Sequence, residues 1–175
     1  MDMTTESTLL DPIAEARRQW EAHGWVDSAP GMAAVTTIVR VSQIVTSAVE
    51  ESLAPLGLTF ARFEILRLLG FSRQGRLPMG KISNRLQVHP ASVTSAVKRL
   101  ERDGLIERQV DDQDNRVVLA SLLDPGRVAL DDATDRINVV FTTLGLPSND
   151  LDELVATLNQ IRSKAGDTTI TTDGV

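Results

Sequence analysis

The sequence predicts a mainly α-helical protein with one small β-hairpin, and two observations lead to this fold class. Over most of the chain, apolar residues recur at spacings of three and four, which is typical of helices with one buried face. In the second half, two short apolar runs flank a polar segment, which indicates two strands joined by a turn. The chain has 175 residues, a length at which folding buries roughly 70% of the unfolded surface and one domain needs no disulfide or metal.

Proline residues mark where the first two helices begin and end. Asp11 is predicted to cap a helix whose first residue is Pro12, and this helix is expected to stop near Gly24. A second, long helix is predicted to begin at Pro30 and to end at Pro55, because proline lacks the N–H that would continue the helical hydrogen bonds.

The middle of the chain predicts three helices in close succession. Thr59 is expected to cap the first of them, and a short helix around residues 79–86 follows a linker rich in Gly and Arg. After a tight turn, Pro90 begins the third helix, which Gly104 is expected to end.

The predicted hairpin comes next and is followed by two more helices. Its strands cover residues 105–110 and 117–122, and the polar segment between them forms the tip. Asp124 is expected to cap the first of the two helices, and Pro147 to begin the second.

The helix that begins at Pro90 has two chemically different faces. Apolar residues at i, i+3, i+4 and i+7 bury one side, and the opposite side is small and hydroxylated at its start and basic further on. Small side chains let a helix approach base edges, hydroxyls hydrogen-bond to bases and phosphates, and cations neutralise the backbone, so this pattern suits a reader of the DNA major groove. The buried side is Val93, Ala96, Val97 and Leu100, and the outer side is Ala91, Ser92, Thr94, Ser95, Lys98, Arg99 and Arg102.

The neighbouring elements favour DNA binding over a merely solvated helix. A polar outer face is common on isolated amphipathic helices. Here the helix follows a shorter one across a tight turn and precedes a hairpin with a charged tip, which together make a winged helix-turn-helix. The tip of such a wing can reach along the DNA backbone or into the minor groove, where the potential attracts a guanidinium group.

Four segments of the sequence resemble the MarR family of bacterial transcriptional regulators, and the similarity extends over roughly residues 30–164. The resemblance implies a homodimer whose N- and C-terminal helices form the interface and whose two winged helices each bind half of a palindromic operator on double-stranded DNA. The matching segments are residues 88–94, 100–108, 114–116 and 124–126. The implied domains are a flexible N-terminus (1–10), N-terminal dimerisation helices (11–58), the winged helix-turn-helix (59–123), C-terminal dimerisation helices (124–164) and a flexible tail (165–175).

The resemblance also implies roles for residues of the wing. Arg116 would enter the minor groove, and Asp114 would orient it through a charge-assisted hydrogen bond. His89, which directly precedes Pro90, is interpreted as a helix cap or a phosphate contact rather than as a metal ligand or catalytic base. The predicted DNA-binding set is His89, Pro90, Ala91, Ser92, Thr94, Ser95, Lys98, Arg99, Arg102, Asp114 and Arg116.

The family resemblance further implies a pocket for a small aromatic or phenolic effector that releases a repressor from DNA. For its candidate residues, an ordinary place in the core or at an interface is favoured over a place in an effector pocket. The absence of cysteine excludes sensing by thiol oxidation. The candidate lining residues are Trp20, His23, Trp25, Arg40 and Phe63.

Composition and motifs exclude several other functions. A chain with no Cys and two His has no thiolate nucleophile and no histidine-rich metal site. It also lacks the signatures of serine hydrolases, P-loop enzymes, dinucleotide-binding folds and zinc peptidases, so we predict no catalytic residues, no cofactor and no bound metal. No signal peptide and no run of about 18 apolar residues is seen, which predicts a cytoplasmic protein without a membrane partner.

The net charge of −6 argues against a polyanionic partner until it is divided along the chain. Residues 60–127 carry twelve Lys and Arg against eight Asp and Glu, an excess of +4, and the remaining residues carry −10. The alternative function is a winged helix that binds another protein without specific DNA binding. Such a surface would present apolar residues, whereas the outer face here is Ser, Lys and Arg, which favours DNA.

Overall fold

The computed structural model describes residues 10–86 and 89–167, and within them the predicted fold class is confirmed. The helices are α1 (Pro12–Ala22), α2 (Ala29–Leu53), α3 (Phe60–Phe71), α4 (Met79–Leu86), α5 (Pro90–Arg102), α6 (Asp124–Thr142) and α7 (Ser148–Lys164). The strands are β1 (Arg76–Pro78), β2 (Ile106–Val110) and β3 (Val118–Leu122). Most of the predicted N-terminal segment and tail, and Val88 of the predicted turn, lie outside the described residues.

Capping explains why the helices begin where they do. The Asp11 carboxylate accepts a hydrogen bond from the Ile13 N–H at 3.0 Å, and the Thr59 hydroxyl accepts from the Arg62 N–H at 3.4 Å. Asp124 differs from its prediction, because it is the first residue of α6 and Leu123 precedes it without a side-chain cap. The Asp124 carboxylate therefore lies in the first turn, where the helix dipole favours an acid.

The chain divides into two compact units, residues 1–48 and residues 49–175. In the first unit the α1 end carries an aromatic group: the Trp20 and Trp25 rings meet edge to face with centroids 5.1 Å apart, and the His23 ring stacks on Trp25 at 5.6 Å. In the second unit α3 packs against α5, α6 and β3 around a continuous apolar core. Its fully covered side chains include Leu53, Ile65, Leu66, Leu69, Ile82, Val93, Val97, Leu100, Ile106 and Ile137.

The sheet has three antiparallel strands in the order β1-β3-β2, one strand more than the predicted hairpin. Arg76 of β1 pairs with Ser121, and the Leu122 N–H donates to the Gly75 carbonyl at 2.8 Å just before that strand. Leu77 is buried while Arg76 is exposed, the alternation of an edge strand. A strand of three residues that ends in Pro78 is too short to show this pattern in the sequence. Its consequence is to join the base of the wing to α4.

Helix α2 carries large apolar side chains that this chain leaves exposed. Val35 is 63% exposed and Ile44 is 54% exposed. Contrary to the expectation of no membrane-spanning segment, Ala29–Leu56 is long and apolar enough to cross a membrane by length and composition. Polar side chains such as Thr36, Arg40 and Gln43 lie along this helix, and the core helix of a soluble protein or a signal sequence meets the same criterion of length and composition.

Candidate nucleic-acid interface

The predicted reader helix, α5, is fixed by a cap at its start and by one buried face. The His89 ring accepts a hydrogen bond from the Ala91 N–H at 3.2 Å, so His89 caps the helix as predicted. Val93, Val97 and Leu100 are fully buried, where α5 packs against α3, α4 and β2. Because three elements hold this face, the opposite face keeps a fixed orientation toward solvent.

The outer face of α5 is polar and almost entirely exposed. Thr94 is the exception, since it is half-buried and its hydroxyl donates to the Pro90 carbonyl at 2.9 Å. That hydrogen bond holds the Thr94 side chain against the helix, and the hydroxyl oxygen can still accept a hydrogen bond from another group. The exposed members of the predicted set are His89, Pro90, Ala91, Ser92, Ser95, Lys98, Arg99 and Arg102.

Of the arginines at the end of α5, Arg102 is paired with an acidic residue and Arg99, among the residues described, is not. Asp103 accepts from Arg62 at 3.3 Å and from the Arg102 guanidinium through two contacts of 3.2 Å. Lys98 and Arg99 form no ion pair within the described part of the chain. The uncompensated positive charge of α5 therefore resides on Lys98 and Arg99.

A groove of about 490 Å³ runs along one side of α5. The Arg62 side chain forms part of its wall and is held there by Thr59 and Asp103. The groove is lined by Thr59, Arg62, Ala91, Ser92, Ser95, Ala96 and Arg99.

The tip of the wing is shaped by its own acidic residues. The Asp111 carboxylate accepts from the Gln113 N–H at 3.1 Å, and the Asp114 carboxylate accepts from the Arg116 N–H at 2.9 Å. The Asp114 carboxylate thus makes a charge-assisted hydrogen bond to the main-chain N–H of Arg116 and fixes the turn that carries this side chain. Short local bonds of this kind stabilise turns, and they leave the Arg116 side chain exposed.

A second groove, of about 610 Å³, brings the wing and the reader helix together. Arg116 from the wing and Thr94 from α5 line it, although they are far apart in the sequence. Lys81 and Asn84 of α4 line the same groove, and sequence reasoning did not select them, because the outer face of α4 carries no motif. The other lining residues are Pro78, Met79, Gly80, Arg108, Val117 and Val118.

An ion pair fastens the wing to the reader helix. The Arg108 guanidinium of β2 donates to the Glu101 carboxylate of α5 at 2.8 and 2.6 Å. These hydrogen bonds lower the pKa of Glu101 below its ordinary value. The carboxylate thus stays ionised in mildly acidic solution and keeps the wing in register with α5.

The five predicted effector-pocket residues fall in different surroundings. Trp20, His23 and Trp25 form the aromatic group of the first unit, and Arg40 there lies 3.4 Å from the Gln43 side-chain oxygen. Phe63 is buried in the core of the second unit. Within the described residues, no group of three His, Asp or Glu side chains could hold a metal ion.

Comparison with known proteins identifies the family. Residues 58–118 match the MarR family model. A MarR family transcriptional regulator from Streptomyces coelicolor, Sco5413, is 42% identical, with a TM-score of 0.71 over 81% of this chain and 99% of that one. CouR from Rhodococcus jostii RHA1 is 26% identical, with a TM-score of 0.64 over 77% of this chain and 93% of CouR.

A curated relative matches about half of this chain. The HTH-type transcriptional repressor MdtR of Bacillus subtilis (strain 168) is 34% identical over 82 residues, 47% of this chain and 52% of that protein. The chain thus spans about half the length of this relative. The match to Sco5413 covers nearly all of that protein and extends well beyond the winged region. The chain therefore belongs to the MarR family of transcriptional regulators.

Proposed function

We propose that this chain is a cytoplasmic, homodimeric repressor that binds a palindromic operator through α5 and the wing, and that a small effector releases it. The observation that carries the proposal is the surface shared by Thr94 and Arg116, which joins the reader helix to the wing across one groove. No catalytic step is part of this function.

The outer face of α5 supports sequence-specific reading of the major groove. Ser92 and Ser95 are short and exposed, so the start of the helix can approach base edges while their hydroxyls donate or accept hydrogen bonds. Lys98 and Arg99 lie one to two turns further along, where they can neutralise phosphates of the groove edge. The absence of large apolar side chains from the described outer face disfavours a protein-docking role.

Arg116 supports a contact in the minor groove. It lies at the exposed tip of the wing, and the turn that carries it is fixed by the Asp114 carboxylate. A preordered turn lowers the entropy cost of placing the guanidinium in a narrow groove of high negative potential.

The exposed apolar side chains of the helices outside the winged region support a homodimer. Val35, Val39 and Ile44 on α2 are each more than half exposed, as is Val155 on α7. Large apolar side chains that a single chain leaves exposed are typical of an interface, and we infer that the partner is a second copy of the chain. A dimer would place two α5 helices on one duplex, as a palindromic operator requires.

Two similarities support repression and a small effector. MdtR is named a transcriptional repressor. The CouR structure is of that protein bound to p-coumaroyl-CoA, a ligand with a phenolic group. In this chain the aromatic group of Trp20, His23 and Trp25 offers the stacking surface that such a ring would need.

The proposal is tested by fluorescence anisotropy with a duplex from the chain's own upstream region over a salt series. We expect Arg116→Ala to weaken binding at least tenfold, and Lys98→Ala to lower the slope of log affinity against log salt by about one unit for each protomer of the dimer. Lys164→Ala removes the same charge from the last turn of α7 and is the matched control. Unchanged affinity and slope in both interface variants would refute the assignment.

A further inference from the structure

A third groove, distinct from the two along α5, gathers four cations. It lies between the turn after α3, strand β1 and helix α4, and it has a volume of about 310 Å³. All four cationic side chains belong to exposed residues, and no Asp or Glu lines the groove. We call it the basic groove; it is lined by Ser72, Arg73, Gln74, Arg76, Leu77, Lys81 and Arg85.

Local structure explains why these cations meet. The Gly75 N–H donates to the Ser72 carbonyl at 3.1 Å, and Gly75 has a φ of +65°, which closes a tight turn and places Arg73 at its tip. Arg76 is the exposed residue of β1, where its Nε donates to Gln74 at 2.8 Å. The other two cations are Lys81 and Arg85 of α4, and their spacing of four residues places them on one face of that helix.

The four cations of the basic groove repel one another in the isolated chain. Like charges at positions i and i+4 of a helix destabilise it. Within residues 10–86 and 89–167, none of the four cations forms an ion pair. Moreover, residues 65–100 contain seven Lys and Arg and no Asp or Glu, in a chain whose net charge is −6. A bound anion would offset this repulsion.

The basic groove is continuous with the proposed DNA surface. Lys81 lines both the basic groove and the groove that holds Thr94 and Arg116. A duplex that lies along α5 and the wing would therefore carry its phosphates past Lys81 toward the turn. This continuity favours a DNA phosphate over an independent anion as the occupant.

We propose that the basic groove is a phosphate anchor that binds the DNA backbone beside the bases read by α5. The inference rests on the proposed function, because the same duplex must occupy both surfaces. The anchor contacts phosphates and no base edges, so it contributes affinity and register without sequence preference. Arginine supplies planar, bidentate donors to phosphate, and lysine a compact charge.

The test compares the double variant Lys81→Gln/Arg85→Gln with a control that removes two exposed cations of the same unit that line none of the three grooves, Arg136→Gln/Lys164→Gln. Light scattering checks that this control has the same oligomeric state as the wild-type chain. Binding is measured by fluorescence anisotropy from 50 to 200 mM salt, on an operator duplex selected from a randomised pool and on a random duplex. We expect the slope of log affinity against log salt to fall by about 0.9 for each lost phosphate contact. Because the proposed dimer carries each substitution twice, the slope should fall by roughly 3.6 in all, and the wild-type chain would then lose on the order of a hundredfold more affinity than the variant across this salt range.

The expected pattern has two further parts. The variant should lose affinity by the same factor on both duplexes, because phosphates carry no sequence, and the control should keep the wild-type slope. A second variant, Arg73→Gln/Arg76→Gln, removes the cations from the other wall and should give a similar slope. Far-ultraviolet circular dichroism checks that each variant retains its helices.

Different results separate the possible failures. A wild-type slope in both groove variants overturns the anchor while leaving DNA binding intact. Absence of binding by the wild-type chain to either duplex overturns the proposed function and the anchor with it. Inorganic pyrophosphate, titrated by calorimetry, tests a free anion: binding to the wild-type chain but not to Lys81→Gln/Arg85→Gln, with unchanged DNA slopes, would make the groove a small-anion site and overturn the anchor.

Discussion

Gly126→Ala is expected to destabilise the second unit, because this glycine is buried at a close approach between the start of α6 and the base of the wing. A Cβ at Gly126 would lie 2.1 Å from the Leu105 carbonyl oxygen and 2.8 Å from the Leu122 side chain. A carbon and an oxygen that are not bonded are ordinarily more than about 3 Å apart, so the main chain at Gly126 or Leu105 would have to move by about 1 Å.

The structure indicates how large the effect should be. The Leu105 carbonyl also accepts the Leu123 N–H at 3.1 Å, so its displacement strains a hydrogen bond that joins the wing to α6. Overpacking of a rigid core costs about 1–3 kcal/mol, and a weakened hydrogen bond adds about 1 kcal/mol. Gly126→Ala should therefore lower the free energy of unfolding by about 2–4 kcal/mol.

The assay is urea denaturation followed by circular dichroism at 222 nm. Gly80→Ala is the matched control, because no atom lies within 4 Å of its added Cβ. A helix prefers alanine to glycine by up to about 1 kcal/mol, so this variant should be as stable as the wild-type chain or slightly more so. A Gly126→Ala midpoint equal to that of the wild-type chain, at an unchanged m-value, would refute the close packing of the wing against α6.

Three further predictions concern pH and assembly. Burial raises the pKa of Glu64 in the folded chain, so the free energy of unfolding should fall as the pH rises from the ordinary pKa of a glutamate to the raised pKa of Glu64. In urea titrations, Glu64→Gln should remove this pH dependence and be more stable than the wild-type chain at pH 7. The hydrogen bonds from Arg108 lower the pKa of Glu101, so this ion pair stabilises the fold at pH values above the ordinary pKa of a glutamate. That stabilisation is lost as the pH falls through the lowered pKa, and unfolding curves of Glu101→Gln between pH 2 and 7 should not show the loss. Leu154→Asp should give a monomer by size exclusion with light scattering and abolish operator binding, and a monomeric wild-type chain would contradict the proposed dimer.

The sequence predicts helices well where a cap or a proline fixes their ends. Asp11, Thr59 and His89 each cap a helix in the structure, and Pro90 begins α5 as predicted. These signals are local, since each depends on hydrogen bonds among residues two or three positions apart. The buried face of α5 was predictable for a similar reason, because its period is set by the helix itself.

Features that depend on distant parts of the chain were not predictable in this way. Strand β1 owes its existence to pairing with β3, more than 40 residues later, and its three residues have no pattern of their own. The basic groove depends on β1 in turn, because the turn and strand carry Arg73 and Arg76 to the side of α4. The resemblance implies a charge-assisted hydrogen bond between Asp114 and Arg116 but does not name the donor atom, and in the structure the tight turn favours the nearby main-chain N–H.

The distribution of charge explains how an acidic chain can bind a polyanion in one orientation. The acid-free stretch from Ile65 to Leu100 includes the cations of the basic groove as well as Lys98 and Arg99 of α5, and Arg116 adds to them at the wing. The residues outside 60–127 carry −10, so the net positive charge that can attract a duplex lies within residues 60–127. In the proposed complex, this attraction would favour encounters in which α5 meets the groove, and phosphate contacts at the basic groove would then fix its register along the bases. Because both effects are electrostatic, the fraction of encounters that become specific complexes should decrease as the salt concentration rises, together with the affinity.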